Sequence, residues 1–229
     1  MALILCIETS GQTASVALVN NGCFVSLREN TIRNEHGAFL QPAVREIMTE
    51  AGFALTQIDA VAVSIGPGSY TGLRVGLASA KGICYALNKP LIEIGTLTLM
   101  AAVARQSLSD LQKQKNYCIV PMIDARRNEV FTATFDHQLD IISEPGALIL
   151  EENSFEALLS VPIYFTGDGA VKWQSWCNHA NARFITIDFN AADMSSIAQT
   201  MYQNQQFTPA ALAVPLYGKA FYTTQPKIS

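Results

Sequence analysis

Apolar residues in this chain come in short unbroken runs separated by polar turns, and between some of them they recur at intervals of three and four. Residues 3–7, 15–19 and 23–27 are strand-length apolar runs. The last two are joined through Asn20-Asn21-Gly22, the strongest short-range signal for a tight hairpin. The chain therefore opens as strand, polar turn (Glu8-Thr9-Ser10-Gly11), strand, hairpin, strand. Residues 37–51 then follow helical spacing, with Leu40, Val44, Ile47, Met48 and Ala51 on one face and Gly52 as the stop. A buried strand over 60–65, a helix through Leu87, a strand over 91–94 and a helix over 97–108 complete a first unit. This order predicts a mixed sheet, with a hairpin first and parallel crossovers after it.

The polar stretch 109–116 marks a boundary, giving domains 1–109 and 110–229. Beyond it strands are predicted over 117–123, 129–135, 147–150, 163–165 and 184–187. Helices are predicted over 154–159, around Trp173 and Trp176, and over 194–203. The second half is a shorter version of the first, without a sequence repeat.

The most unusual stretch is 66–82. A sharp turn, Gly66-Pro67-Gly68, leads into a helix that Ser69 or Thr71 can cap. Leu73, Leu77, Ala80, Cys84 and Leu87 form its apolar stripe, while Gly72, Gly76 and Ser79 lie elsewhere on adjoining turns. Internal glycines cost a helix about 1 kcal/mol each, so these imply close approach of another backbone, from the same chain or from a partner. A phosphate loop fits poorly: Lys81 stands turns beyond the glycines, and neither the Walker nor the dinucleotide spacing is met.

Composition narrows the functional classes. Of 229 residues 49% are apolar and 15% charged, with a net charge of −4, which argues against unaided nucleic-acid binding. The local basic features are Arg126-Arg127 and Lys113/Lys115. Five scattered cysteines (Cys6, Cys23, Cys84, Cys118, Cys177) and only three histidines (His36, His137, His179) argue against zinc and for a reducing compartment. No basic leader precedes the first apolar run, and no run approaches membrane-span length. The expected setting is cytoplasmic, away from membranes. His36, beside Asn34 and Glu35 at a helix start, is weak evidence for chemistry on its own.

Four segments together resemble one family: residues 3–10, residues 66–82, Asp124-Ala125-Arg126-Arg127-Asn128-Glu129-Val130, and Gly167-Asp168-Gly169. In this order and over nearly the whole chain they are similar to the TsaB (YeaZ) family of bacterial tRNA threonylcarbamoyladenosine biosynthesis proteins. The resemblance implies an α/β, actin-like (ASKHA, ribonuclease H-like) fold of two domains, each a mixed sheet flanked by helices. It implies a non-catalytic relative of TsaD, which transfers threonylcarbamoyl onto the tRNA adenosine beside the anticodon and holds a metal with a His-x-x-x-His pair. Those histidine positions fall here on Thr96 and Met100, which do not suit such a site.

The implied partners are TsaD as a heterodimer and the ATPase TsaE, with tRNA met indirectly through the complex and a homodimer when TsaD is missing. The expected partner-binding residues are Leu40, Gly72, Leu73, Val75, Gly76, Leu77 and Ser79. No cofactor or metal is expected, ATP entering only within the complex. The turn Glu8-Thr9-Ser10 resembles the first phosphate loop of the actin-like fold and is the candidate nucleotide-binding segment. Two enzymatic alternatives stay open: an actin-like phosphotransferase using Glu8 and Asp124 near ATP, and a hydrolase with Ser69 or Ser10 as nucleophile and His36 as base. The second lacks a Gly-x-Ser-x-Gly elbow.

Overall fold

The computed structural model describes residues 2–32, 35–108 and 116–217. Asn34, Lys113, Lys115 and most of the expected boundary stretch lie outside them.

Strands β1 (Leu3–Glu8), β2 (Ala14–Asn20), β3 (Cys23–Asn30), β4 (Ala60–Gly66) and β5 (Leu91–Gly95) form one sheet in the order β3-β2-β1-β4-β5. The first three are antiparallel, and β4 and β5 join parallel to β1. Every residue of β1 is buried, which is why its sequence is a continuous apolar run rather than an alternating one. Asn21 and Gly22, both at positive φ, make the predicted hairpin.

Helix α1 (His36–Glu50) and helix α2 (Tyr70–Leu87) cover one face through Leu40, Val44, Ile47, Leu77 and Ala80. Ser69 caps α2, its Oγ accepting from Gly72 N at 3.2 Å. Asn88 in the left-handed conformation ends that helix.

The second sheet repeats this plan. Strands β6 (Cys118–Asp124), β7 (Glu129–Asp136), β8 (Ile141–Ile149), β9 (Ile163–Thr166) and β10 (Ala182–Ile185) run in the order β10-β9-β6-β7-β8, again three antiparallel strands followed by two parallel ones. Two mixed sheets of the same topology, flanked by helices, constitute the actin-like fold. Helix α3 (Thr96–Ser107) lies between them: Leu99 packs on the first sheet, and Leu97, Met100, Ala101 and Ala104 pack on the second. On the outer face of the second sheet Phe155, Phe165 and Trp173 meet edge-on around helix α4 (Ala170–Gln174).

Several expected elements differ in the second half. β8 begins at Ile141, not 147. The expected helix over 154–159 is a single 3-10 turn at Glu156–Leu158, and α4 stops before Trp176. Residues beyond the expected division at 109/110 also pack on the first sheet. A 3-10 turn (Ala191–Met194) and helix α5 (Ser195–Gln203) leave the second sheet and pack Ala191, Met194 and Ala198 against Ile4, Cys6, Ala17 and Ala62 of the first. Farther on, Leu216 N bonds Ile65 O at 2.7 Å and Lys81 Nζ bonds Ala213 O at 3.0 Å. The apolar content of 191–213 is what brings it back, because one face of the first sheet would otherwise be open to water.

Cys6, Cys84 and Cys118 are buried core residues, and burial pushes the Cys6 thiol up to about 12 and the Cys84 thiol to about 11. Cys23, by contrast, is exposed.

Candidate functional site: the cleft between the sheets

The carboxyl ends of β1, β4, β6 and β9 converge on a cleft of about 890 Å³ between the two sheets. Met100, Ile123, Phe131, Ile187 and Phe189 give it an apolar wall. Ser10, Ser69, Tyr70 and Thr96 face them from the first domain, and Asp124, Arg126 and Asp168 stand at the second domain's lip. Open α/β sheets place ligands at such a crevice.

The glycine helix makes its close approach inside this chain. A Cβ on Gly72 would overlap the main-chain oxygen of Thr9, and one on Gly76 would overlap the Thr9 hydroxyl. Ser69 N also bonds Ser10 O at 2.7 Å. The start of α2 is thus closed by the 8–10 turn and is no open anion cradle.

The expected partner-binding residues divide by burial. Gly72, Leu73, Gly76, Leu77 and Leu40 are buried within the chain's own core, while Val75 and Ser79 are half-buried at its margin. The face that α2 turns outward carries Thr71, Arg74, Ala78, Gly82 and Tyr85, the last 90% exposed.

The nucleotide candidates divide as well. Of Glu8, Thr9 and Ser10, only Ser10 lines the cleft. Glu8 lies under the turn, 2% exposed. Its Oε1 accepts from both the amide and the hydroxyl of Ser10, and its Oε2 has no hydrogen-bond partner among the described residues. Burial raises its pKa, against the opposing pull of the Ser10 hydrogen bonds.

A carboxyl whose folded pKa is raised holds its proton in the fold and loses it more readily when unfolded. Its contribution is therefore complete below the unfolded pKa and declines as pH rises toward the folded value. Above about pH 4.5, stability is expected to fall by up to about 1.4 kcal/mol per pH unit from this group. Glu8→Gln should flatten that decline, and urea titrations of both proteins at pH 5 and pH 7 measure it. Equal pH dependence in the two would show that Glu8 is ionised in the fold.

The hydrolase set comes together without the required bonds. Ser10, Ser69 and His36 all line the cleft, yet the Ser10 hydroxyl donates to Glu8 and the Ser69 hydroxyl accepts from Gly72 N. His36 Nε2 has no hydrogen-bond partner among the described residues. For the phosphotransferase set, Glu8 is sealed beneath its turn and Asp124, at the lip of the cleft, is engaged by Lys172. Lys172 Nζ donates to Asp124 Oδ1 at 2.6 Å, and this bond is the main cause of the lowered Asp124 pKa.

Lys172 is the residue that sequence reasoning missed. It also donates to Arg127 O at 2.6 Å and Glu129 O at 3.2 Å, while Asp124 N donates to Asp168 Oδ1 at 2.8 Å. These bonds brace the turn between β6 and β7, in which Arg126 and Arg127 both adopt left-handed backbone at φ 69° and 51°. That conformation costs an ordinary L-residue roughly 1–2 kcal/mol. Gly167, at φ 93°, is required where it stands: a Cβ there would overlap Met122 O.

A family model described as TsaD, tRNA N6-adenosine threonylcarbamoyltransferase, matches residues 30–212. The tRNA threonylcarbamoyladenosine biosynthesis protein TsaB of Haemophilus influenzae is 31% identical, over 93% of this chain and 92% of that protein. The chain belongs to the TsaB family. The TsaB protein of Escherichia coli K12 is also 31% identical, over 93% of each chain. Among solved structures, YeaZ from Pseudomonas aeruginosa superposes with a TM-score of 0.76 at 24% identity, covering 95% of this chain and all of that one. That likeness is one of fold.

Proposed function

We propose that this chain is a non-catalytic subunit in tRNA threonylcarbamoyladenosine biosynthesis, binding and activating the TsaD-family transferase. The pathway is the one its TsaB relatives are named for. The observation that carries the non-catalytic role is the side-chain chemistry of the cleft. Thr96 and Met100 lie one turn apart on α3 and line the cleft; the resemblance assigns these positions to the metal-binding histidines of TsaD-like proteins, and a hydroxyl and a thioether are poor substitutes. The cleft's serine hydroxyls are already engaged within the fold, and Glu8 is capped by Ser10.

The partner surface in this reading is the outward side of α1 and α2. The two helices lie side by side, linked by Gln41 Nε2 donating to Ser79 Oγ at 3.3 Å. Thr71, Ala78 and Gly82 are small enough to let a partner helix approach closely, and Tyr85 provides an exposed aromatic anchor of the kind that dominates interfaces. The same face serves a homodimer when TsaD is absent. TsaE joins the assembled pair, and ATP enters only there.

Light scattering on the chain alone and mixed with the matching TsaD tests the proposal. A one-to-one complex is expected. Ala78→Arg should weaken it at least about 100-fold while leaving the fold intact, since alanine and arginine are both good helix formers and the site is exposed. Failure to form the complex, together with substrate-dependent ATP turnover by the chain alone, would favour the phosphotransferase.

A further inference from the structure

The scaffold reading gives no task to the turn between β6 and β7. Arg126 and Arg127 are consecutive, exposed and both left-handed, a conformation that favours glycine, asparagine and aspartate. Their backbone is held by Lys172, whose ammonium is spent on Asp124 Oδ1 and on the carbonyls of Arg127 and Glu129. One oxygen of Asp124 takes the Arg126 amide, and one oxygen of Asp168 takes the Asp124 amide. Asp124 thus serves the Arg126 amide and the Lys172 ammonium and feels the Arg126 charge, while Asp168 serves the Asp124 amide. Neither guanidinium forms a salt bridge among the described residues. Arg126 lines the mouth of the 890 Å³ cleft, and Arg127 follows it on the same braced turn. In a chain of net charge −4, two exposed guanidiniums outside any salt bridge among the described residues, on a turn whose backbone is braced, form an anion-binding pair.

We propose that the Arg126-Arg127 turn binds a phosphate group, presented either by an RNA backbone crossing the lip of the cleft or by a nucleotide lying inside it. The guanidinium fork matches phosphate oxygens with two parallel hydrogen bonds, and the cleft has the volume of an ordinary small-molecule site. The brace fixes the backbone from which both side chains rise, so the turn itself needs no ordering when the phosphate arrives. The RNA source rests on the proposed role in tRNA modification; the nucleotide source does not.

The decisive variant is Arg126→Gly/Arg127→Gly. Glycine suits the left-handed turn, so this protein should fold at least as well as the wild type. Unmodified tRNA binding to the complex of the chain with the matching TsaD is measured by fluorescence anisotropy across a salt series. ATP binding to the same complex is measured by calorimetry. If RNA supplies the phosphate, the variant's tRNA Kd rises about 10-fold or more and the log K against log salt slope becomes shallower by about 1–2, with ATP binding unchanged. If a nucleotide supplies it, ATP binding weakens by a similar factor and tRNA binding does not change. Unchanged affinity for both, with the complex intact by light scattering, overturns the proposal. Should the wild-type chain form no complex, the scaffold reading fails separately. Both titrations are then run on the isolated chain, where unchanged affinities again overturn the phosphate site.

Discussion

Gly72→Ala is expected to lower stability by about 2 kcal/mol, although helix propensity alone predicts a gain of about 1 kcal/mol from the same change. The sign is decided by what the new methyl meets. At Gly72 it would overlap the main-chain oxygen of Thr9, which belongs to a turn pinned by Ser69 N on Ser10 O and by Thr9 N on Ser64 Oγ. That oxygen has no rotamer to escape into, so the helix or the turn must shift. Gly76→Ala meets the Thr9 hydroxyl instead, which a side-chain rotation can move, so its cost should be smaller. Gly82 lies on the same helix with nothing within 4 Å of an added Cβ, so Gly82→Ala should stabilise by up to about 1 kcal/mol. In a protein of this size those changes correspond to a fall in Tm of roughly 4–8 °C for Gly72→Ala and a rise of roughly 2–4 °C for Gly82→Ala. Thermal unfolding of the three single variants measures the contrast. A Gly72→Ala protein as stable as the wild type would mean that the turn is not held against the helix.

The glycine stripe also shows how far the sequence could be read. Glycines at helical spacing announce a close approach, but nothing local says whose backbone arrives. Thr9 lies some sixty residues upstream, and only the pairing of β1 with β4 brings it there. The expected partner-binding leucines are buried for a related reason. Leu73, Leu77 and Leu40 stand out by their periodicity, and the periodic apolar stripe of a surface helix is the side that faces its own core. The first sheet was legible because its central strands are buried on both faces and read as unbroken apolar runs. β8 was not: residues 141–147 are all exposed, so no burial pattern marks where the strand begins. The brace on the arginine turn had no local signal either, because Lys172 and Asp124 are 48 residues apart and meet only through the parallel pairing of β6 with β9.

A fragment ending at residue 109 is expected to aggregate rather than fold, even though it contains all five strands of the first sheet and three helices. The helices α1 and α2 cover only one face. On the other face Ile4, Cys6, Ala17, Val19 and Ala62 are buried by Ala191, Met194 and Ala198 together with Leu99 of α3. Ser15 Oγ, buried in β2, accepts from the amide of Ala191 at 2.9 Å, and Thr208 N bonds Leu91 O at 2.9 Å beside the edge strand β5. Cutting after 109 exposes a contiguous apolar surface, which favours association over folding. Within the intact chain, Met194→Ala should cost about 2–5 kcal/mol, because Met194 is fully buried and its neighbours come from a sheet that cannot collapse into the space. Urea unfolding of Met194→Ala and size-exclusion chromatography of the fragment are independent measurements of one property. A monomeric fragment that unfolds cooperatively would restore 109 as a true domain boundary. Aggregation together with a large Met194 effect would make the C-terminal return part of the first domain. In that case the docking face on α1 and α2 depends for its rigidity on residues near the far end of the chain.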